Sequence, residues 1–136
     1  MLIADRVRSD AYQRAIRALV REGDVVLDIG TGSGLLAMFA CQAGASRVYA
    51  VERTSIASVA RELARANGFA DRIEVIESDV RSVQLPRPVD VVVSELLSRA
   101  FLGQSFEALT RFCRDRFLAP GGRILPERVD FLVAPV

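Results

Sequence analysis

Apolar positions along the chain alternate between a helical spacing and short unbroken runs. From Asp10 onward, Tyr12, Ile16, Leu19 and Val20 recur at helical spacing with Arg14, Arg17 and Arg21 on the opposite face, which predicts an amphipathic helix ending at Gly23. Val25-Val26-Leu27-Asp28-Ile29 is a run bounded by glycines, the pattern of a strand buried on both faces of a parallel sheet. After a glycine-rich turn, Leu35, Leu36, Phe39, Ala40 and Ala43 mark a helix that stops at Gly44, where a left-handed cap is expected. Arg47 to Val51 predicts the second strand. Ile56, Val59, Ala60 and Leu63 define a helix closed by Asn67-Gly68, and Ile73 to Ile76 a third strand. Val89 to Val93 is a fourth buried strand and Ser105 to Phe117 a helix. Pro120-Gly121-Gly122 predicts a turn into a fifth strand near Arg123 to Leu125, and Asp130 to Val133 is a candidate for one more. This alternation predicts an α/β fold: an open, doubly wound, mostly parallel sheet in a three-layer α/β/α arrangement with right-handed crossovers.

Composition narrows the class. At 136 residues the chain is expected to form one domain spanning 1–136, and 51% hydrophobic with 26% charged residues is ordinary for a globular protein. A formal charge of +1 gives no bulk attraction to nucleic acid or membrane. The longest apolar stretches, Leu35 to Ala43 and Val89 to Val93, fall far short of the roughly 20 residues of a membrane span. Met1-Leu2-Ile3-Ala4-Asp5-Arg6 becomes charged too early for a secretory leader, so a cytoplasmic location is the default expectation. Cys41 and Cys113 are far apart and lack metal-ligand spacing, which predicts buried free thiols and no metal site. Every basic residue is arginine and there is no histidine, so catalysis has to proceed without imidazole.

In an open α/β sheet, ligands bind beyond the carboxyl ends of the strands, most often at the turn after the first one. Here that turn is Asp28-Ile29-Gly30-Thr31-Gly32-Ser33-Gly34, leading into a helix at Leu35. Glycines let the backbone adopt positive φ and approach a ligand closely, and the helix start offers free amides. A dinucleotide fingerprint would put its third glycine at position 35, but Leu35 stands there and the spacing is Gly-x-Gly-x-Gly, which argues against a bound pyrophosphate. Glu52, ending the second strand with Arg53 next to it, can accept hydrogen bonds from both hydroxyls of a ribose, as either adenosine cofactor would require. Asp79, in Glu77-Ser78-Asp79-Val80 on the same sheet edge, can accept from an adenine amino group. The plainer readings are a solvated strand-end acid for Glu52 and a turn aspartate for Asp79. Asp28 either orients the turn for a ligand or caps neighbouring amides.

Val26-Leu27-Asp28-Ile29-Gly30-Thr31-Gly32-Ser33-Gly34 resembles the first motif of class I methyltransferases, with Glu52 matching their second. Leu36 to Phe39, Ala43-Gly44-Ala45, Val48-Tyr49-Ala50-Val51-Glu52, Ala66-Asn67-Gly68-Phe69-Ala70-Asp71-Arg72-Ile73 and Leu118-Ala119-Pro120-Gly121-Gly122-Arg123-Ile124-Leu125-Pro126 are similar to the protein arginine methyltransferases. The resemblance implies S-adenosylmethionine as cofactor, S-adenosylhomocysteine as product, and methyl transfer to a nitrogen nucleophile by direct displacement without a metal. It implies that the segment 1–23 completes the cofactor site, with Arg8 pairing with the cofactor's methionine carboxylate; an exposed arginine leading a helix is the alternative. The glycine turn (Asp28, Gly30, Thr31, Gly32, Gly34 and Leu35), Glu52 with Arg53, and Asp79 with Val80 complete the expected cofactor contacts.

The family also carries a loop in which two glutamates grip the substrate guanidinium. Glu95 matches the first and is also expected beside the cofactor, whereas Gln104 stands where the second should be, an amide that accepts a hydrogen bond but carries no charge. The family's histidine-containing loop has no counterpart here, and the sequence ends about where the family's C-terminal β-barrel would begin. Two functions are therefore expected: a methyltransferase acting on protein arginine or on a smaller nucleophile, or a cofactor-binding module that needs a partner or the barrel for substrate. A nicotinamide-dependent oxidoreductase ranks below both on the glycine spacing. An apolar segment at Phe131 to Val133 predicts self-association, as a homodimer through the C-terminal edge.

Overall fold

A computed structural model describes residues 5–96 and 105–130. The elements run α1 (Arg6–Leu19), β1 (Val25–Ile29), α2 (Leu35–Gln42), β2 (Arg47–Glu52), α3 (Ala57–Ala66), β3 (Ile73–Glu77), a 3₁₀ turn (Val80–Ser82), β4 (Val89–Ser94), α4 (Ser105–Phe117) and β5 (Leu118–Leu125). The strands pair in the order β3-β2-β1-β4-β5, every pair parallel. Central β1 is buried along its whole length, Asp28 included.

Strand alternation divides the core into two. Val26, Val48, Ala50, Ile73, Val91 and Val93 pack with Ile16 and Val20 of the α1 segment, Leu36, Ala37, Ala40 and Cys41 of α2 and Ala64 of α3. On the other face Val25, Leu27, Ile29, Tyr49, Val51, Val89 and Val92 meet Val80 and Val83 around the 3₁₀ turn and Cys113 and Phe117 of α4. Both thiols are buried and free, and burial pushes the Cys113 thiol up to about 12. Among the described residues no helix is long and apolar enough to cross a membrane.

The element boundaries differ from the periodicity in ways that matter for the site. Helix α1 begins at Arg6 instead of Asp10, because Asp5 caps it by accepting the Arg8 amide at 3.0 Å. Apolar spacing cannot mark that first turn, since its one apolar side chain, Val7, is 82% exposed. Strands β2, β3 and β4 each extend one residue further than their apolar runs, to Glu52, Glu77 and Ser94, and these polar ends stay in the ladder: Glu52 pairs with Glu77 and Ser94 with Ile29. In α3 the buried positions are Ala57, Ala60 and Ala64, while Val59 faces solvent. The turn expected at Pro120-Gly121-Gly122 lies inside β5 as a bulge, with Val89 opposite Leu118 but Val91 opposite Arg123 and Gly121 at φ +74°. Beyond it, Arg123 ties β5 to the α1–β1 connection through Asp24 at 2.7 Å and the Leu19 carbonyl. The possible strand at Asp130 to Val133 and the apolar C-terminal edge lie, apart from Asp130, outside the described residues.

Because Leu27 is fully buried in the central strand, Leu27→Ala should lower the unfolding free energy by about 2–5 kcal/mol. Urea denaturation would read this as a lower midpoint at an unchanged slope.

Candidate functional site

The turn between β1 and α2 is held by its own backbone and by the neighbouring strand. The amides of Gly30 and Thr31 both donate to the Val51 carbonyl, at 2.8 and 3.0 Å, and the Gly34 amide donates to the Thr31 carbonyl at 2.9 Å. Gly30 and Gly34 are both favoured by their positive φ, and at Gly30 a side chain would also displace Leu96. A Cβ on Gly30 (φ +69°) would sit 2.6 Å from Leu96 Cδ2, and one on Gly34 (φ +84°) would sit 3.4 Å from the Ala60 Cβ. The small face of α3 is what allows that second approach. Helix α2 starts at Gly34 without a side-chain cap.

Glu52 leaves the end of β2 and turns back over the glycines. Its Oε2 accepts the Gly32 amide at 3.1 Å, and its Oε1 accepts the amide and hydroxyl of Thr54, both at 2.9 Å. The carboxylate is only 8% exposed, so it is a built feature of the turn and not the solvated strand-end acid of the plainer reading. It still has acceptor capacity, since two oxygens offer about four lone-pair sites in all.

Asp28 is fully buried at the end of β1, on the face covered by α1 and α2. Thr31 Oγ1 donates to its Oδ2 at 2.5 Å, and its Oδ1 makes no hydrogen bond among the described residues. Burial pushes this carboxyl up to about 7, with the Glu52 charge adding to the rise, while the Thr31 hydroxyl and the Ala37 amide favour the charged form. An orphaned buried oxygen is costly, and such a group marks the place where a donor, preferably cationic, would be gained. On β4, Ser94 Oγ is likewise buried and makes no hydrogen bond among the described residues.

At the end of β4, α1 crosses the sheet edge and makes two contacts one helical turn apart. Arg8 Nη1 donates to Glu95 Oε1 at 2.6 Å, and the Tyr12 hydroxyl donates to the Ser94 carbonyl at 3.2 Å. Arg8 is also held by Asp5, through Nε at 3.2 Å and Nη2 at 3.1 Å. Its guanidinium is pushed above the usual range chiefly by the hydrogen bond to Glu95. Tyr12 is pushed up to about 12, first by burial and then by the Glu95 charge, so its hydroxyl stays protonated and keeps donating. Arg8 is thus no free helix-leading arginine: the structure joins it to Glu95.

Other expected site residues are placed differently. Asp79 caps the 3₁₀ turn, accepting the Arg81 amide at 2.8 Å and pairing with the Arg81 guanidinium at 3.6 Å, which is the turn role weighed against an adenine contact. Val80 is buried in the core beneath it, Arg53 is exposed, and Leu35 packs partly buried against α2's side of the core. Gln104 lies outside the described residues. Among the described residues no group of acidic, cysteine or histidine side chains could hold a metal ion. Three contributors went unrecognised in the sequence. Tyr12 reads there only as a core position, although its i,i+4 spacing from Arg8 puts both on one face. Thr54 carries the signal of a hydroxyl two residues after a carboxylate, and Leu96 carries none.

The family model of ribosomal protein L11 methyltransferase (PrmA) matches residues 13–122. The chain is 46% identical over 137 aligned positions to protein arginine N-methyltransferase 6 of Danio rerio, covering 99% of this chain and 39% of that protein. It is 47% identical over the same length to protein arginine N-methyltransferase PRMT10 of Oryza sativa subsp. japonica, covering 99% of this chain and 36% of that protein. Among solved structures it is similar to protein arginine methyltransferase 10 of Arabidopsis thaliana, with a TM-score of 0.84 at 44% identity over 91% of this chain and 36% of that one. It is also similar to a chain of the Trypanosoma brucei PRMT1 enzyme–prozyme heterotetrameric complex with AdoHcy, with a TM-score of 0.86 at 34% identity over 93% and 40% of the two chains. The chain therefore spans well under half the length of these relatives. With the glycine turn, the strand-end acids and the sheet order all in place, the chain belongs to the class I S-adenosylmethionine-dependent methyltransferases and, within them, is similar to the protein arginine methyltransferases.

Proposed function

We propose that this chain binds S-adenosylmethionine at the carboxyl edge of β1, β2 and β4 and directs its methyl group to a cationic nitrogen acceptor, an arginine guanidinium in the first instance. The observation that carries this reading is the convergence on one glycine turn of a ribose-type acceptor (Glu52), an orphaned buried carboxyl oxygen (Asp28) and the Arg8–Glu95 pair. The residues fit the cofactor. Glu52 would take the ribose hydroxyls, Asp28 the methionine ammonium and Arg8 the methionine carboxylate, while Gly30, Thr31, Gly32, Gly34 and Leu35 give the backbone room to approach. Asp79 and Val80 would border the adenine. When bound, S-adenosylmethionine supplies an electrophilic methyl group on a cationic sulfur. Glu95, leaving β4 beside that turn, would hold and orient the acceptor so that a nitrogen lone pair points along the line of displacement. Acceptors of this kind include a protein side chain or a small molecule, and self-association through the C-terminal edge belongs to the same reading.

A narrower reading keeps the cofactor site without turnover. The residue that favours it is Gln104, which leaves one carboxylate where the arginine methyltransferases present two. Restoring charge with Gln104→Glu should raise methylation of an arginine peptide, measured by label transfer from the cofactor. Unchanged or lower transfer would mean that the missing carboxylate is not what limits this chain.

Calorimetric titration tests the cofactor reading itself. S-adenosylhomocysteine should bind the wild type and NAD should not. Glu52→Ala should weaken S-adenosylhomocysteine about ten- to a hundredfold, the scale of one charge-assisted hydrogen bond lost from a ligand.

The Asp28 carboxyl sets a pH dependence. With its value raised to about 7 in the free chain, Asp28 is mostly protonated below that pH, and a ligand ammonium would favour the ionised form. Binding below pH 7 should therefore release a proton, and affinity should rise from pH 5.5 to about 8 and then level off. Titrations in buffers of different ionisation enthalpy would count the proton, and Asp28→Asn should bind with no such release.

A further inference from the structure

We infer that Glu95 competes with the cofactor's carboxylate for Arg8, so that seating the cofactor uncovers Glu95 for the acceptor. The inference rests on the assignment of Arg8 and Glu95 proposed above and concerns how their two ligands influence one another. In the unliganded chain these side chains are each other's partner at 2.6 Å, and Asp5 already stands on the other side of the same guanidinium at 3.1 Å. A ligand carboxylate arriving at Arg8 would be the third anion around one cation. At a partly buried edge that crowding is screened less than in open solvent, which disfavours keeping both residents on Arg8.

Geometry indicates which one leaves. Asp5 is fixed twice on the same helix, as the cap of α1 on the Arg8 amide and as an ion partner one turn away. Glu95 reaches Arg8 from another element by a single contact, and its neighbours are held on both sides: the Ser94 carbonyl by Tyr12, and the Leu96 side chain beside the glycine turn at Gly30. Glu95 can therefore leave Arg8 by a side-chain rotation while the strand end stays in place, delivering a free carboxylate beside the turn. Coupling of this kind is reciprocal. A cationic acceptor that draws Glu95 away leaves Arg8 free for the cofactor carboxylate, so each ligand favours the other.

The test uses binding alone. S-adenosylhomocysteine and 5′-methylthioadenosine, which shares the nucleoside but lacks the amino acid, are titrated into wild type, Glu95→Gln, Arg8→Gln and the double variant. Glu95→Gln should bind S-adenosylhomocysteine about two- to fivefold more tightly, the scale of a partly exposed ion pair, and leave methylthioadenosine unchanged. In the Arg8→Gln background the gain should vanish, whereas simple repulsion between Glu95 and the ligand carboxylate would persist there. An unchanged or weaker S-adenosylhomocysteine affinity in Glu95→Gln, an equal gain for both ligands, or a gain that survives without Arg8 would each overturn the exchange while leaving the cofactor assignment standing. Failure of the wild type to bind S-adenosylhomocysteine would instead remove that assignment and this inference together.

Discussion

In-register parallel pairing of β1 with β2 on one side and β4 on the other is the constraint from which the site follows. Ile29 lies opposite both Val51 and Ser94, so the chain leaves all three strands at the same level, and Asp28, Glu52 and Glu95 emerge along one edge. Parallel strands place their carboxyl ends together by construction, and the crossover helices carry the chain back over the faces, away from that edge. The glycine turn then lies between two neighbours. Val51 receives its first amides and Leu96 lies against Gly30, so the turn's conformation and the position of the β4 exit are set jointly.

Charge at this edge is arranged so that each acid is treated differently. Glu52 stays an acceptor because backbone amides and a hydroxyl surround it. Asp28, fully buried and with only one oxygen hydrogen-bonded among the described residues, is pulled toward its neutral form. Glu95 is neutralised by an arginine from another element. These are three solutions to the same problem, the cost of a carboxylate out of water. They differ in what a ligand can add: further hydrogen bonds at Glu52, a compensating cation at Asp28, and a change of partner at Glu95.

The sheet and the glycine turn were legible in the sequence because they depend on local signals: β-branched runs between glycines, and glycines where φ is positive. Glu52 and Asp28 could be placed for the same reason, since a residue's position at a strand end follows from where the apolar run stops. What the sequence could not reveal is which side chains meet across long separations. Arg8 and Glu95 were each picked out singly, by resemblance, but 87 positions separate them and nothing local announces that they pair. The start of α1 was hidden by an exposed Val7, and the bulge in β5 by a Pro-Gly-Gly that reads as an ordinary turn. Asp79 reads in the sequence as an adenine contact with a turn aspartate as the alternative; the structure shows it capping the 3₁₀ turn, and the adenine role is a proposal about a side chain already engaged.

Helix α1 connects these observations, because its two halves are held by different physics. Toward its C-terminus Ile16 is fully buried, Val20 nearly so, and Arg123 from β5 holds the Leu19 carbonyl. Burying one such aliphatic side chain is worth roughly 1.5–3 kcal/mol, so that end is part of the fold. Its N-terminal half adds polar contacts to the packing of Tyr12, namely the Asp5 cap, the Arg8–Glu95 pair and the Tyr12 hydroxyl, and of these the Arg8–Glu95 pair is the one a ligand carboxylate could replace in kind. The helix is therefore anchored where it completes the core and exchangeable where it borders the site. A ligand at Arg8, as proposed, would exchange side-chain partners at one end of α1 and leave the packing that fixes the other in place.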